Sequence, residues 1–404
     1  MEQPGAGTAS SATARPRPHR LYLSPHQALC EFYSCTRRQY LGTLATTENK
    51  SRVVVGMSGG VDSSATAALL LEQGFEVIGI TLKLWPQDCV SRAEDKCCGP
   101  QAVMDARAVC QQLGIAYYLI DEAAEFDRHV IRYFADEYKA GRTPNPCVMC
   151  NQNLKFGRLI RRADQLGAQY VATGHFARVA RDSLSGRVLL KRGRDLRKDQ
   201  SYFLFSLRQD QLARAMFPLG EKTKTDTRAV ARHCQLKTAD KEESMEICFV
   251  PDNDYGRFLR QAKLVEPRRG EIVDQQGRVL GYHEGIAFYT IGQRRGLGIS
   301  SKRPLYVIEL DPANNRVIVG DDAALQSAEF VADRCNWIAV DPPPGPVEAT
   351  VKVRYNHPGA AATVTPLPGS KARVRLHQAQ RAVTPGQAAV FYQDELVLGG
   401  GWIA

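Results

Sequence analysis

From residue 52 to about residue 217, short apolar runs alternate with longer stretches of helical period. Segments 53–55, 77–82, 116–120 and 170–173 read as strands, and 63–73, 100–113, 126–140 and 156–166 read as helices. Such alternation predicts a parallel sheet covered by helices on both faces. Ligands of these sheets collect at the C-terminal ends of the strands. Residues 218–264 are charged and helical with few strand signals, and beyond residue 270 the helical period fades. Segments 305–310 and 316–319 flank Asp-Pro-Ala-Asn-Asn, a hairpin signal, and 351–355, 372–376 and 388–392 alternate or are β-branched. This end predicts a small all-β barrel or sandwich. The pattern divides the chain into an extension (1–50), an α/β domain (51–217), a central helical or mixed linker domain (218–285) and a C-terminal β domain (286–404).

The first strand runs into Gly56-Met-Ser-Gly-Gly-Val-Asp-Ser-Ser64, and an alanine- and leucine-rich helix follows. A glycine turn at a helix N-terminus directs backbone N–H groups and the helix dipole at one spot, which favours an anion. Ser58, Ser63 and Ser64 add hydroxyl donors. No Gly-Lys-Ser/Thr follows, so this is not a Walker A loop. It resembles the pyrophosphate loop, Ser-Gly-Gly-x-Asp-Ser, of the ATP-pyrophosphatase superfamily. Asp62 reads either as a metal or loop-fixing carboxylate or as a helix-N-terminal acid favoured by the dipole.

Composition adds a net charge of +10, which suits a polyanionic partner without proving one. No apolar run is long enough to span a bilayer, so a soluble protein with no membrane partner is expected. Eleven cysteines, with no secretory signal, point to a reducing compartment and to thiol or metal chemistry rather than disulfides. Residues 1–50 are rich in Ser, Thr, Ala, Pro and Arg, and Pro16, Pro18 and Pro25 interrupt any amphipathic helix. Two readings stand: an extension of a cytoplasmic protein, or a mitochondrial or plastid transit peptide.

The cysteines carry the most specific signal. Cys147 and Cys150 form a C-x-x-C in Gly141-Arg-Thr-Pro-Asn-Pro-Cys-Val-Met-Cys-Asn151, whose prolines restrict the loop. A zinc site would need two more ligands, and no second C-x-x-C exists. Cys248 lies in Glu243-Ser-Met-Glu-Ile-Cys-Phe-Val-Pro251. Cys97, Cys98 and Cys110 read as structural, and Cys89, Cys234 and Cys335 offer no functional case.

Together with Ala172-Thr-Gly-His-Phe176, Lys198-Asp-Gln-Ser-Tyr-Phe203, Phe217-Pro-Leu-Gly220, Thr290-Ile-Gly-Gln-Arg-Arg-Gly-Leu-Gly298, Arg354-Tyr355 and Thr384-Pro-Gly-Gln387, these segments resemble the tRNA-uridine 2-sulfurtransferase family from about residue 52 to 404. The resemblance implies a Rossmann-like pyrophosphate-loop domain, a central domain and a C-terminal barrel. It implies ATP-dependent 2-thiolation of the wobble uridine, with tRNAs for Lys, Glu and Gln as substrates and a cysteine desulfurase or sulfur relay as donor. ATP would be held by Gly56, Met57, Ser58, Gly59, Gly60, Val61, Asp62, Ser63, Leu82 and Gly174, with Mg²⁺. Asn145, Pro146 and Cys147 would lie beside the target base; His175, Lys198, Asp199, Gln200, Arg354, Tyr355 and Gln387 would contact tRNA. Cys150 would be the nucleophile and Cys248 the persulfide carrier.

One departure matters: better-known members have aspartate where this chain has Cys147. The sulfur source therefore takes two forms. In one, Cys248 carries a persulfide and Cys150 resolves it. In the other, Cys147, Cys150 and Cys248 ligate an iron–sulfur cluster whose open iron presents hydrosulfide. The third thiol favours the cluster, since disulfide chemistry needs only two. Arg294 and Arg295, in a glycine-flanked loop, suit phosphate contact, with a solvated turn as the plain alternative.

Overall fold

The computed structural model describes residues 50–84, 99–242, 247–250 and 252–404. The N-terminal extension through residue 49, Cys89, Cys97 and Cys98 lie outside the described residues.

Strands β1 (Arg52–Gly56), β2 (Glu76–Lys83), β3 (Ala116–Asp121), β4 (Tyr170–Ala172) and β7 (Ala215–Met216) form a parallel sheet in the order β3-β2-β1-β4-β7. Strand β1 is central and its Val53, Val54 and Val55 are fully buried, alternate residues serving the cores on opposite faces. Continuous apolar character is what a strand covered on both sides requires. Order reverses between β2 and β4 around β1, so the crevice of this sheet opens beyond Gly56.

The hairpin β5 (Ala177–Arg181) and β6 (Val188–Arg192) leaves this domain and joins another sheet. That sheet contains β12 (Gln326–Trp337), β13 (Val347–Lys352), β14 (Ala360–Leu367), β15 (Lys371–Arg381), β16 (Ala388–Gln393) and β17 (Leu396–Ile403). The order is β12-β15-β14-β13-β16-β17-β6-β5, and a β12–β17 pairing closes the first six strands into an antiparallel barrel. Closure removes the unpaired edges that an open sheet exposes. Hairpin β5–β6 thus welds the first domain to the barrel, with Leu190, Tyr202, Tyr392 and Trp402 sharing one core cluster.

Between the two lies a separate sheet, β10-β11-β8-β9, built from β8 (Gly270–Asp274), β9 (Val279–His283), β10 (Tyr306–Asp311) and β11 (Arg316–Gly320). Strands β10 and β11 form the hairpin expected around Asp-Pro-Ala-Asn-Asn. The barrel proper begins at Gln326, so strands 306–320 belong to this middle sheet. Alternation along a strand does not reveal which sheet it joins.

Helical residues run continuously from Pro146 to Gln165. The cysteine segment is therefore the first turn of a helix rather than a loop. Pro146 occupies the first helical turn, where its fixed φ suits helix entry and its missing N–H costs nothing. Residues 151–158 form a wider, π-helical turn. The buried Gln211 amide donates to the Gln152 and Phe156 carbonyls at 3.0 and 2.8 Å, serving acceptors in that turn. Farther on, the carboxylate of Glu122, almost wholly buried, takes Arg158 at 2.8 Å and Arg162 at 3.0 Å and ties the helix to the end of β3. No helix among the described residues is long and apolar enough to cross a membrane.

Candidate functional site

One open cavity of about 190 Å³ lies beyond the C-terminal ends of β1, β2 and β4. Its first wall is the glycine loop. Gly59 has φ +71°, and a Cβ there would sit 2.2 Å from the Ala102 carbonyl oxygen, so this turn needs glycine. The loop is laced internally. Ser63 Oγ accepts from the Ser58 N–H at 3.2 Å and donates to the Gly60 carbonyl at 3.1 Å. Thr81 donates to the Met57 carbonyl at 2.8 Å and ties the loop to β2. The first turn of α1 (Val61–Glu72) then faces the cavity, as an anion site requires. Two lysines from the central segment reach this loop. Lys224 pairs with Asp62 at 2.6 Å; Lys241 donates to the Gly59 carbonyl at 3.1 Å and pairs with Asp105 at 2.5 Å.

The second wall is Thr173-Gly-His175 after β4. A Cβ on Gly174 would come within 2.8 Å of Asp62, so the close approach of this wall to the loop admits only glycine. His175 is buried, and its Nδ1 shares a 2.7 Å hydrogen bond with the Thr173 hydroxyl. Burial holds its pKa well below the usual histidine range, and the charge of Lys155 pushes the same way. His175 is therefore a neutral imidazole in the cavity wall.

The third wall is the cysteine helix, which brings Cys150, Leu154, Lys155 and Leu159 to the same cavity. Its start is fixed from two sides. Arg142 makes a bidentate pair with Glu137, both bonds at 2.7 Å. Opposite, the turn between β15 and β16 clamps the segment. The Thr143 N–H donates to the Pro385 carbonyl at 2.8 Å, and the Gln387 amide donates to the Thr143 and Pro144 carbonyls, both at 3.3 Å. Asn145 and Pro146 are buried here, while Cys147 and Cys150 are half-buried.

Cys150 and Cys248 pack against one apolar cluster built on Phe126, Phe134, Leu154 and Phe249. Both thiols border a largely apolar cluster, and Cys150 also lines the cavity of the glycine loop. Among the described residues no group of three or more His, Cys, Asp or Glu side chains is placed to hold a metal ion. Cys147 lies in the first helical turn beside Pro146, three residues before Cys150. Burial pushes the thiols of Cys110 and Cys335 up to about 12, which suits inert packing.

The residues expected to contact tRNA fall into two groups. Arg354 is exposed, Lys198 is half-buried, and Tyr355 is half-buried with its ring 4.5 Å from that of Phe203. Arg294 and Arg295 are exposed on the middle sheet's loop. Asp199, Gln200 and Gln387 are engaged inward. Asp199 is buried and accepts from the Gly193 and Ser201 N–H groups at 3.1 and 3.0 Å. Gln200 lines the cavity and accepts from the Phe176 N–H at 3.0 Å. Sequence reasoning missed Lys155, Lys224, Lys241 and Thr173. Lys155 stands five residues after Cys150, a spacing that an α-helix would carry about 140° around its axis, so the linear pattern gives no cue.

A parallel-sheet nucleotide domain whose glycine loop shares a cavity with a cysteine-bearing helix, followed by a small middle sheet and a closed barrel, defines an ATP-using enzyme of the pyrophosphate-loop class. Family models match in the same order: the tRNA methyl transferase HUP domain over residues 51–252, the tRNA methyl transferase PRC-barrel domain over 257–321 and the aminomethyltransferase beta-barrel domain over 327–403. The chain belongs to the tRNA-specific 2-thiouridylase family. It is 51% identical over 362 residues to the tRNA-specific 2-thiouridylase MnmA of Geobacter metallireducens, covering 89% of this chain and 98% of that protein. It is also 49% identical over 358 residues to tRNA-specific 2-thiouridylase MnmA 1 of Caldanaerobacter subterraneus subsp. tengcongensis, covering 88% and 98%.

Proposed function

We propose that this chain is an ATP-dependent tRNA sulfurtransferase that replaces the C2 oxygen of the wobble uridine with sulfur. The observation that carries the reading is the shared cavity: the glycine loop and Cys150 line the same space. Activation and sulfur delivery must meet at one carbon, and separate sites could not serve that.

The uracil C2 oxygen is a poor leaving group. It attacks the α-phosphorus of ATP; the bond to the β-phosphate oxygen breaks and pyrophosphate leaves. The loop amides, the α1 dipole and the serine hydroxyls stabilise that departing charge. Among the described lining residues Asp62 is the carboxylate that would hold a Mg²⁺ brought in with ATP. When bound, it neutralises phosphate charge.

Sulfur comes from a persulfide on Cys248. Its terminal sulfur attacks C2, and the C2–O bond breaks with AMP as leaving group. The Cys150 thiolate then attacks Sγ of Cys248. A Cys150–Cys248 disulfide forms, and the electron pair of the broken S–S bond remains on the sulfur now attached to C2. Two thiol protons pass to solvent, and a dithiol reductant restores the enzyme. Cys150 and Cys248 border the same apolar cluster, which supports a route that brings these two thiols together. The tRNA substrates are those for Lys, Glu and Gln, the sulfur reaches Cys248 from a cysteine desulfurase or relay protein, and the protein acts in the cytoplasm or an organelle.

The test is single-turnover thiolation of unmodified tRNA with Cys150→Ser and Cys248→Ser. Both variants should form no 2-thiouridine yet still release pyrophosphate when tRNA is present. Loss of pyrophosphate release in both, with the fold intact, would contradict the division of labour.

A further inference from the structure

We propose that Lys155 is a catalytic residue of this reaction: its ammonium contacts the α-phosphate during adenylate transfer and stays with AMP until it departs. This assignment rests on the thiolation reading above and deepens it.

The π-helical turn 151–158 is the first observation. In an unbroken α-helix Lys155 would point well away from Cys150, about 140° around the axis. The wider i→i+5 turn closes that angle, and Cys150, Leu154 and Lys155 all reach the same cavity. Such turns cost regular hydrogen bonds and persist where function needs them. Here the cost is offset by the buried Gln211 amide, which bonds two carbonyls of the turn at 3.0 and 2.8 Å.

Charge is the second observation. Among the described residues lining the cavity, the ionisable groups are Asp62, Cys150, Lys155 and His175. Asp62 faces Lys224 at 2.6 Å. His175 is buried against Phe156 and Phe217, with its Nδ1 on the Thr173 hydroxyl, and remains neutral. Lysine 155 is thus the cation of the lining. The glycine loop takes the pyrophosphate end of ATP, so the phosphorus that is transferred must face the base and the wall that carries Cys150. Lys155 is on that wall. Negative charge grows there twice, first as the bond to pyrophosphate breaks and again as the C2–O bond breaks and AMP leaves. A cation on that wall stabilises both events more than it stabilises bound ATP.

The experiment compares wild type, Lys155→Met and Lys155→Arg as full-length chains, after thermal melts verify folding. Pyrophosphate release is followed with unmodified tRNA in a single turnover, and the ATP concentration dependence is measured separately. For Lys155→Met the rate at saturating ATP should fall about 100-fold, while KM for ATP moves less than about fivefold. Lys155→Arg, which keeps the charge, should recover to within about tenfold of wild type. A purely structural lysine would not give that split or that rescue. Pyrophosphate release at the wild-type rate by Lys155→Met, even with thiolation lost, overturns the assignment. So does an effect confined to KM. A wild-type enzyme that releases no pyrophosphate with tRNA overturns the thiolation reading and this assignment together.

Discussion

At the scale of single residues, the site uses environment to fix protonation. His175 carries the clearest case. The unfolded imidazole gains a proton near pH 6.5, whereas burial and Lys155 delay protonation of the folded one to lower pH. Below about pH 6.5 the unfolded chain therefore binds more protons, and stability falls as pH falls. Urea unfolding at pH 7.5 and 5.5 should show this loss in wild type and a smaller loss in His175→Asn. His283 and His357, also depressed by burial, add to the wild-type loss and remain in the variant. Equal losses in both proteins would mean that His175 titrates normally. Some of this was legible in the sequence and some was not. The glycine loop could be read because strand, Gly-Gly turn and helix signals stand next to each other at 53–73. His175 was singled out by its place after a strand, but its burial between Phe156 and Phe217 depends on partners far apart in sequence. Lys155 was invisible because its role depends on a π-turn held by Gln211, more than fifty residues away.

At the scale of elements, the cysteine helix is positioned by neighbours rather than by its own sequence. Glu137 and Arg142 fix the approach, Pro146 starts the helix, and Glu122 holds its far end. The barrel turn at 384–387 closes the arrangement through the backbone of Thr143 and Pro144. Gln387→Ala removes two donors and leaves the Thr143–Pro385 bond in place. Each lost hydrogen bond is worth about 1 kcal/mol, so the fold should survive with a loss of about 1–3 kcal/mol. The cysteine segment should loosen, and the rate of 2-thiouridine formation should fall more than tRNA-dependent pyrophosphate release, by about tenfold. A matched fall in both rates would instead place Gln387 chiefly at the tRNA surface. The family resemblance implied a tRNA contact for Gln387, and its bonds to the backbone of Thr143 and Pro144 were not legible in the sequence alone. Strands β5 and β6 fall within the span 51–217 assigned to the first domain, yet they join the barrel's sheet, because period-2 alternation carries no information about which sheet a strand will join.

At the scale of the whole molecule, three sheets divide the work. The parallel sheet carries the glycine loop at its switch point; the barrel, welded on through β5–β6, buttresses the cysteine helix; the central segment supplies Lys224 and Lys241 to the loop and Cys248 to the apolar cluster that Cys150 also borders. The net charge of +10 suits a partner as acidic as tRNA. In this account the segments carrying Cys150 and Cys248, about a hundred residues apart, meet chemically once per turnover. The most direct measurement loads Cys248 with a persulfide, runs one turnover with ATP and unmodified tRNA without reductant, and maps the thiols by peptide mass spectrometry. One Cys150–Cys248 disulfide per 2-thiouridine formed is the predicted result. Full yield of 2-thiouridine with Cys150 still reduced would contradict the account.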